Sequence, residues 1–199
     1  MVVERHPDQS SDLVLMVDSA QNLGVDRDTT LRWTITAAMA LSERHLKAQD
    51  RVGLIDVGKG VRWLPAKLGR RHLHTIVDAL LATEVEPRDL RPLTAVRPSQ
   101  LPRSATVVVI SPLLAEKTLS TLVDLRGRGH EIIVVRTDVP EADETVSLLA
   151  RRIFRVGKEL NERWLIDRGV IIIPWKKGDS LEHLLRRVTG NLGRARSRR

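Results

Sequence analysis

The run Ala105-Thr106-Val107-Val108-Val109-Ile110 carries no charge and is dominated by β-branched side chains. Such a run is the pattern of a central strand buried on both faces, and that burial demands helices above and below the sheet. Leu13 to Val17, Arg51 to Val57, Glu131 to Val135 and Val170 to Ile173 are further strand-like runs, and helical patterns lie between them. Strands alternating with helices predict a mostly parallel central sheet with crossover helices on both faces, a Rossmann-like α/β fold.

The connections refine this picture. Gly24 to Asp28 is turn-like, and Asp28 or Thr29 is placed to cap a helix running to about Lys47, with Leu31, Ile35, Ala38, Met39 and Leu46 inward. Gly58-Lys59-Gly60 joins Arg51–Val57 to a short strand, Val61 to Leu64, as a hairpin, which sets one antiparallel edge strand on the sheet. A helix is expected over Gly69 to Thr83, then a proline-rich loop with Pro87, Pro92, Pro98 and Pro102. Ser111-Pro112 reads as an N-cap with proline in the first turn of a helix that ends near Arg128. Glu141 to about Arg168 is helical with an expected break near Gly157, Pro174 is expected to stop the strand before it, and Ser180 to Val188 is the last helix. Residues 1–189 therefore read as a single domain and 190–199 as a basic disordered tail.

With 199 residues and 42% hydrophobic content the chain can build one core. The absence of Cys excludes disulfides and thiolate metal sites, and no stretch has the length of a signal or membrane-spanning segment, so a cytoplasmic location is expected. The formal charge is +8, of which Arg194, Arg196, Arg198 and Arg199 supply four, leaving a mildly basic body. No Walker A run, G-x-G-x-x-G, G-x-S-x-G or H-E-x-x-H is present, so the reading is of a protein without catalytic activity.

Two series of residues carry a resemblance. Glu4 to Ser19, ERHPDQSSDLVLMVDS, and Asp50 to Gly58, DRVGLIDVG, followed by Val61-Arg62-Trp63-Leu64-Pro65 and Gly69-Arg70-Arg71, resemble the bacterial family catalogued as domain of unknown function 58. A looser likeness continues through Gly129-His130-Glu131. That family is similar to von Willebrand factor A domains, so the resemblance implies a domain of that type. It also implies a MoxR-type AAA+ ATPase as partner. Members carry a further segment upstream, often preceded by membrane helices; the chain reads as N-terminally truncated relative to them, and a membrane tether would come only through that segment.

Domains of the A type often hold a divalent cation through a DxSxS loop, a later Thr and an Asp after the fourth strand. Here the loop reads Asp18-Ser19-Ala20-Gln21-Asn22, Thr94 matches the Thr position, and Ser111-Pro112 stands where the later Asp is expected. Ala20 brings no side-chain oxygen and Ser111 no carboxylate. A hard cation wants several oxygens and compensating negative charge, so Asp18, Asn22 and Ser111 should hold Mg²⁺ weakly or not at all, and no cofactor is expected. The metal-ion-dependent adhesion site is thus degenerate.

In open α/β sheets, ligands bind beyond the carboxyl ends of the strands where strand order reverses. The expected partner-binding rim is therefore Asp18, Ser19, Asn22, Thr94 and Ser111, serving protein–protein interaction as an adaptor. The rival reading is binding of nucleic acid or an anionic surface through the Arg tail and the patch Arg62, Trp63, Lys67, Arg70 and Arg71. With one Phe, four Trp and no Tyr there is little surface for base stacking, so nucleic acid ranks second. His72 and His74 are expected on the surface, Trp63 as packing, Trp164 and Trp175 as anchors of the C-terminal elements, and Asp56 either at an exposed edge or bridged to a nearby Arg.

Overall fold

The computed structural model describes residues 12–19, 22–25, 28–57, 61–83, 101–102, 105–137, 148–176 and 178–196. Along the chain come β1 (Asp12–Asp18), β2 (Gly24–Val25), β3 (Asp28–Thr29), α1 (Thr30–Lys47), β4 (Arg51–Val57), β5 (Val61–Lys67) and α2 (Arg70–Leu81). Next are β6 (Thr106–Ser111), α3 (Glu116–Gly127), β7 (Glu131–Thr137), α4 (Leu148–Ile166), β8 (Ile171–Trp175) and α5 (Leu181–Arg196).

Six strands form one sheet in the order β5-β4-β1-β6-β7-β8, and only β5 runs antiparallel. This is the expected Rossmann-like arrangement with its antiparallel edge. Every residue of β6 is buried, as its uninterrupted β-branched run requires. Alternation in β1 divides the core: Leu13, Leu15 and Val17 pack with α1, α2 and α5, while Val14 and Met16 pack with α3 and the end of α4. Because β1 pairs with β4 on one side and β6 on the other, chain order reverses at β1. The ends of β1 and β6 thus lie side by side.

Thr29 caps α1 by accepting from the Arg32 amide at 3.3 Å, as the sequence suggests. Of the expected inward residues, Ala38 and Leu46 are buried and Ile35 and Met39 are half-buried against the core, while Thr34, Ala37, Leu41 and His45 complete the buried face and Leu31 is half-buried. A bulge between Val52 and Leu54 lets β5 approach β4 closely. A Cβ on Gly53 would lie 3.1 Å from both the Ala66 nitrogen and the Leu64 oxygen, a tight fit that a larger residue could meet only by shifting β5 backbone.

Several expectations are corrected. Pro174 does not stop β8 but lies inside it, which the sheet tolerates because β8 is an edge strand and proline's missing donor costs no ladder bond there. Gly157 does not break α4, which runs through it. Residues 190–196 are not an irregular tail, because α5 continues to Arg196 with Leu192 buried against the core.

Candidate functional site

Two carboxylates stand at the carboxyl ends of neighbouring strands, on opposite faces of the sheet. Asp18 ends β1 and shares the alternation of Val14 and Met16, toward α3; Asp56 in β4 shares that of Val52 and Leu54, toward α2. Both are buried, at 2% and 6% exposure.

Asp18 joins three elements. Its Oδ2 accepts from the Ser111 hydroxyl at 2.6 Å and from the Thr118 hydroxyl, on the first turn of α3, at 3.0 Å. Ser111 Oγ in turn accepts from the Leu113 amide at 2.9 Å. Ser111 is therefore not a helix cap, as the Ser-Pro pair suggests. Leu113 has φ of 57°, a left-handed conformation that turns the chain away, and α3 starts only at Glu116 after Ala115. The freed hydroxyl spans 93 residues of sequence to reach Asp18.

Asp56 is held differently. Ser19 Oγ donates to its Oδ1 at 2.6 Å, and Arg62 Nη2 donates to its Oδ2 at 2.7 Å. Thr83, just past α2, lies 3.0 Å from both Asp56 Oδ2 and Arg62 Nη2. The register explains the pairing, since Asp56 and Arg62 are direct cross-strand partners in the β4–β5 hairpin. Of the two sequence expectations for Asp56, the bridge to an Arg is the one the fold adopts.

The remaining rim residues divide. Ser19 is buried, and its amide extends the sheet by donating to the Val57 carbonyl at 3.1 Å. Asn22 is exposed and its Oδ1 accepts from the Leu31 amide at 3.3 Å, tying the loop to the start of α1. Thr94 lies outside the described residues, as do Ala20 and Gln21. Asp18 and Ser111 are brought together directly, Ser19 turns to the second network, and Asn22 stays at the surface.

Ser111 and Thr118 are completely buried. Among the described residues no cluster of three or more His, Asp or Glu side chains is placed to hold a metal ion. Thr83 and Thr118 are the members that sequence reasoning misses. Neither carries a local signal, since each matters only because a helix docks beside a strand end.

Other residues need correction. His72 is buried rather than on the surface, with Nε2 2.7 Å from the Val52 carbonyl. Its spacing to Ile76 and Leu80, the other buried positions of α2, is the periodic signal that marks it as inward. His74 is exposed, as expected. Trp63 is half-buried against the core, and Trp175 is buried, its ring centroid 4.8 Å from that of Trp33. Trp164 is not a buried anchor but 39% exposed, with the Arg168 guanidinium 4.1 Å from its ring centroid.

A family model described as "Protein of unknown function DUF58" matches residues 1–150. No curated protein matches the sequence. Solved structures with a similar fold include an aerotolerance-related membrane protein from Bacteroides fragilis, at 11% identity and TM-score 0.57, with 92% of this chain and 99% of that one covered. Another is the conserved hypothetical protein BatB from Bacteroides thetaiotaomicron, at 11% identity and TM-score 0.56, covering 90% and 98%. At this identity the likeness concerns the fold. No helix among the described residues is long and apolar enough to cross a membrane.

Proposed function

Because the chain belongs to the family described as Protein of unknown function DUF58, whose name assigns no activity, we propose its function from the rim of its sheet. It is a cytoplasmic, non-catalytic adaptor of the von Willebrand factor A type. It binds a protein partner, a MoxR-type AAA+ ATPase, through the loops beyond β1 and β6, and the adhesion site of such domains is degenerate here.

The observation that carries this reading is the environment of Asp18. Its Oδ2 accepts two hydroxyl hydrogen bonds inside the protein, in a residue 2% exposed. A hard divalent cation needs about six oxygens with compensating charge. Ser111 substitutes a neutral donor for a carboxylate, position 20 is Ala, and the nearby Asp56 faces the other side of the sheet beside Arg62. The network does by hydrogen bonding what an ion would do by coordination: it fixes the strand ends and the start of α3. Partner binding then depends on the shape of the rim and not on a bridging metal. The choice of partner rests on the family resemblance.

Arg62 also weakens the rival nucleic-acid reading, since the centre of the basic patch is engaged by Asp56 and Trp63 is packed against the core.

Co-purification from the native host tests the proposal, with wild type and with Asn22→Arg, which changes an exposed rim position. The expected result is an AAA+ ATPase retained by wild type in the presence of EDTA and lost from the variant, which remains folded by circular dichroism although it gives up the Asn22–Leu31 hydrogen bond. Recovery of no AAA+ ATPase, or loss of the wild-type complex on chelation, overturns it.

A further inference from the structure

At the end of the sheet opposite the rim, the turn from β5 into α2 carries charge that the fold does not use. Lys67 closes β5 opposite Val52, near the start of β4, which places this turn at the amino end of the parallel strands. Lys67, Arg70 and Arg71 are exposed, and among the described residues no ion pair engages their side chains. Neighbouring cations are neutralised, Arg51 by Asp12 at 3.3 Å and Lys47 by Glu43 at 2.6 Å. On α2 the nearest acid, Asp78, lies two turns further on. Cations in the first turn of a helix oppose its dipole, and α2 has neither an acid there nor a side-chain cap, so helix stability does not account for Arg70 and Arg71.

Leu68 stands between these cations. It is 48% exposed and packs with neither side of the core. Gly69 makes the turn with φ of 91°, and a Cβ built on it meets nothing within 4 Å, so no described part of the chain covers it. The turn thus projects one apolar side chain with a basic residue before it and two after it.

Sign and shape together select the occupant. Three unpaired cations with no acid between them call for an anionic surface. A nucleic acid would use the cations but not Leu68, and the turn offers no exposed ring for a base to stack on, since Trp63 is half-buried against the core. A folded acidic protein needs a concavity matched to the projecting turn. A bilayer accepts any convex tip: an aliphatic side chain enters the interfacial layer, and long cationic stems carry their charge to the headgroups. We propose that the β5–α2 turn docks on the surface of an anionic lipid bilayer, with Leu68 in the interfacial layer and Lys67, Arg70 and Arg71 on lipid phosphates. Docking by this end leaves the opposite rim facing away from the bilayer. The proposal rests on the turn alone and does not depend on what the rim binds.

The test is co-sedimentation of the whole chain with vesicles of mixed phosphatidylglycerol and phosphatidylcholine, and with vesicles of phosphatidylcholine alone. Three variants are compared, each checked for an unchanged melting temperature: the triple Lys67→Gln, Arg70→Gln, Arg71→Gln; the triple Arg194→Gln, Arg196→Gln, Arg198→Gln, which has the same net charge; and Leu68→Ser. Each cation near an anionic leaflet strengthens binding about fivefold, so the turn triple should lose about a hundredfold on the mixed vesicles and the tail triple about tenfold less than that. Leu68→Ser, with charge unchanged, should lose about tenfold. Equal losses in the two triples, full binding by Leu68→Ser, or no preference for the mixed vesicles overturns the proposal. So does displacement by inorganic phosphate at constant ionic strength, which would make a free ion the ligand, or tighter binding to a double-stranded DNA oligomer than to vesicles.

Discussion

The two buried carboxylates of the sheet rim sit on adjacent strands, yet the fold stabilises them in different ways. Asp56 is joined to Arg62 by hairpin register, and Ser19 and Thr83 complete the set. Asp18 is gripped by hydroxyls that arrive from β6 and α3, from 93 and 100 residues away. The first network has one local, ionic partner, Arg62, which reaches solvent with 41% of its side chain exposed. In the second, the Ser111 and Thr118 hydroxyls are buried, neutral donors that arrive from distant parts of the chain. Position in the sheet does not set how a carboxylate is accommodated; the partners that topology delivers do.

Removing the carboxylate of Asp18 should have the larger effect. Asp18→Ala leaves the Ser111 and Thr118 hydroxyls without that acceptor, and at about 1–3 kcal/mol for each buried group left unsatisfied we expect a loss of about 3 kcal/mol. For a chain of this size that lowers Tm by about 6–12 °C. A loss below about 1 kcal/mol in urea unfolding would mean that the β1–β6–α3 junction is held mainly by apolar packing.

Arg62→Ala should cost less, about 2 kcal/mol, the lower end for breaking a hydrogen-bonded charge pair, because water reaches the site and two hydroxyls remain on Asp56. Salt separates the two networks. Raising ionic strength to about 0.5 M should shrink the Arg62→Ala difference, since the wild-type pair is screened, and leave the Asp18→Ala difference nearly unchanged. Equal salt responses would erase the distinction between them.

Ser111→Ala should cost about 2 kcal/mol, close to Arg62→Ala, because Thr118 still donates to Asp18 while the buried Leu113 amide loses its acceptor. The Leu113 amide, which donates to Ser111, is the group to monitor by hydrogen exchange. The smallest expected effect is that of metal. With a dissociation constant of about 10 mM or weaker, about 10 mM Mg²⁺ stabilises by no more than about 0.4 kcal/mol. A saturable rise in Tm of several degrees would instead place Asp18 in a working cation site.

The Asp56 network is partly legible in the sequence. An acidic residue inside an apolar strand either lies at an exposed edge or needs a partner such as a nearby Arg, and the sequence leaves both open; the β4–β5 register selects Arg62. The Asp18 network is legible only as a set of rim positions. Asp18 and Ser111 both stand out in the sequence, but as separate features, a turn former and a helix cap, because the Ser-Pro pair looks locally like a helix start. The positive φ of Leu113, which delays α3 to Glu116, has no signal in a leucine. Thr118 and Thr83 carry no signal either.

By itself, then, the sequence determined the features that periodicity and local turn chemistry control: alternating strands and helices, a β6 buried on both sides, and a hairpin edge strand; the register that sets Arg62 opposite Asp56 came with the structure. The former depend on interactions between residues near in the chain. Tertiary structure alone decided that Ser111 and Thr118 close over Asp18, that His72 turns inward, and that α4 leaves Val156, Leu160 and Trp164 uncovered. Each of these depends on which surfaces meet after the helices dock on the sheet, and that is a property of the packed layers rather than of any one segment.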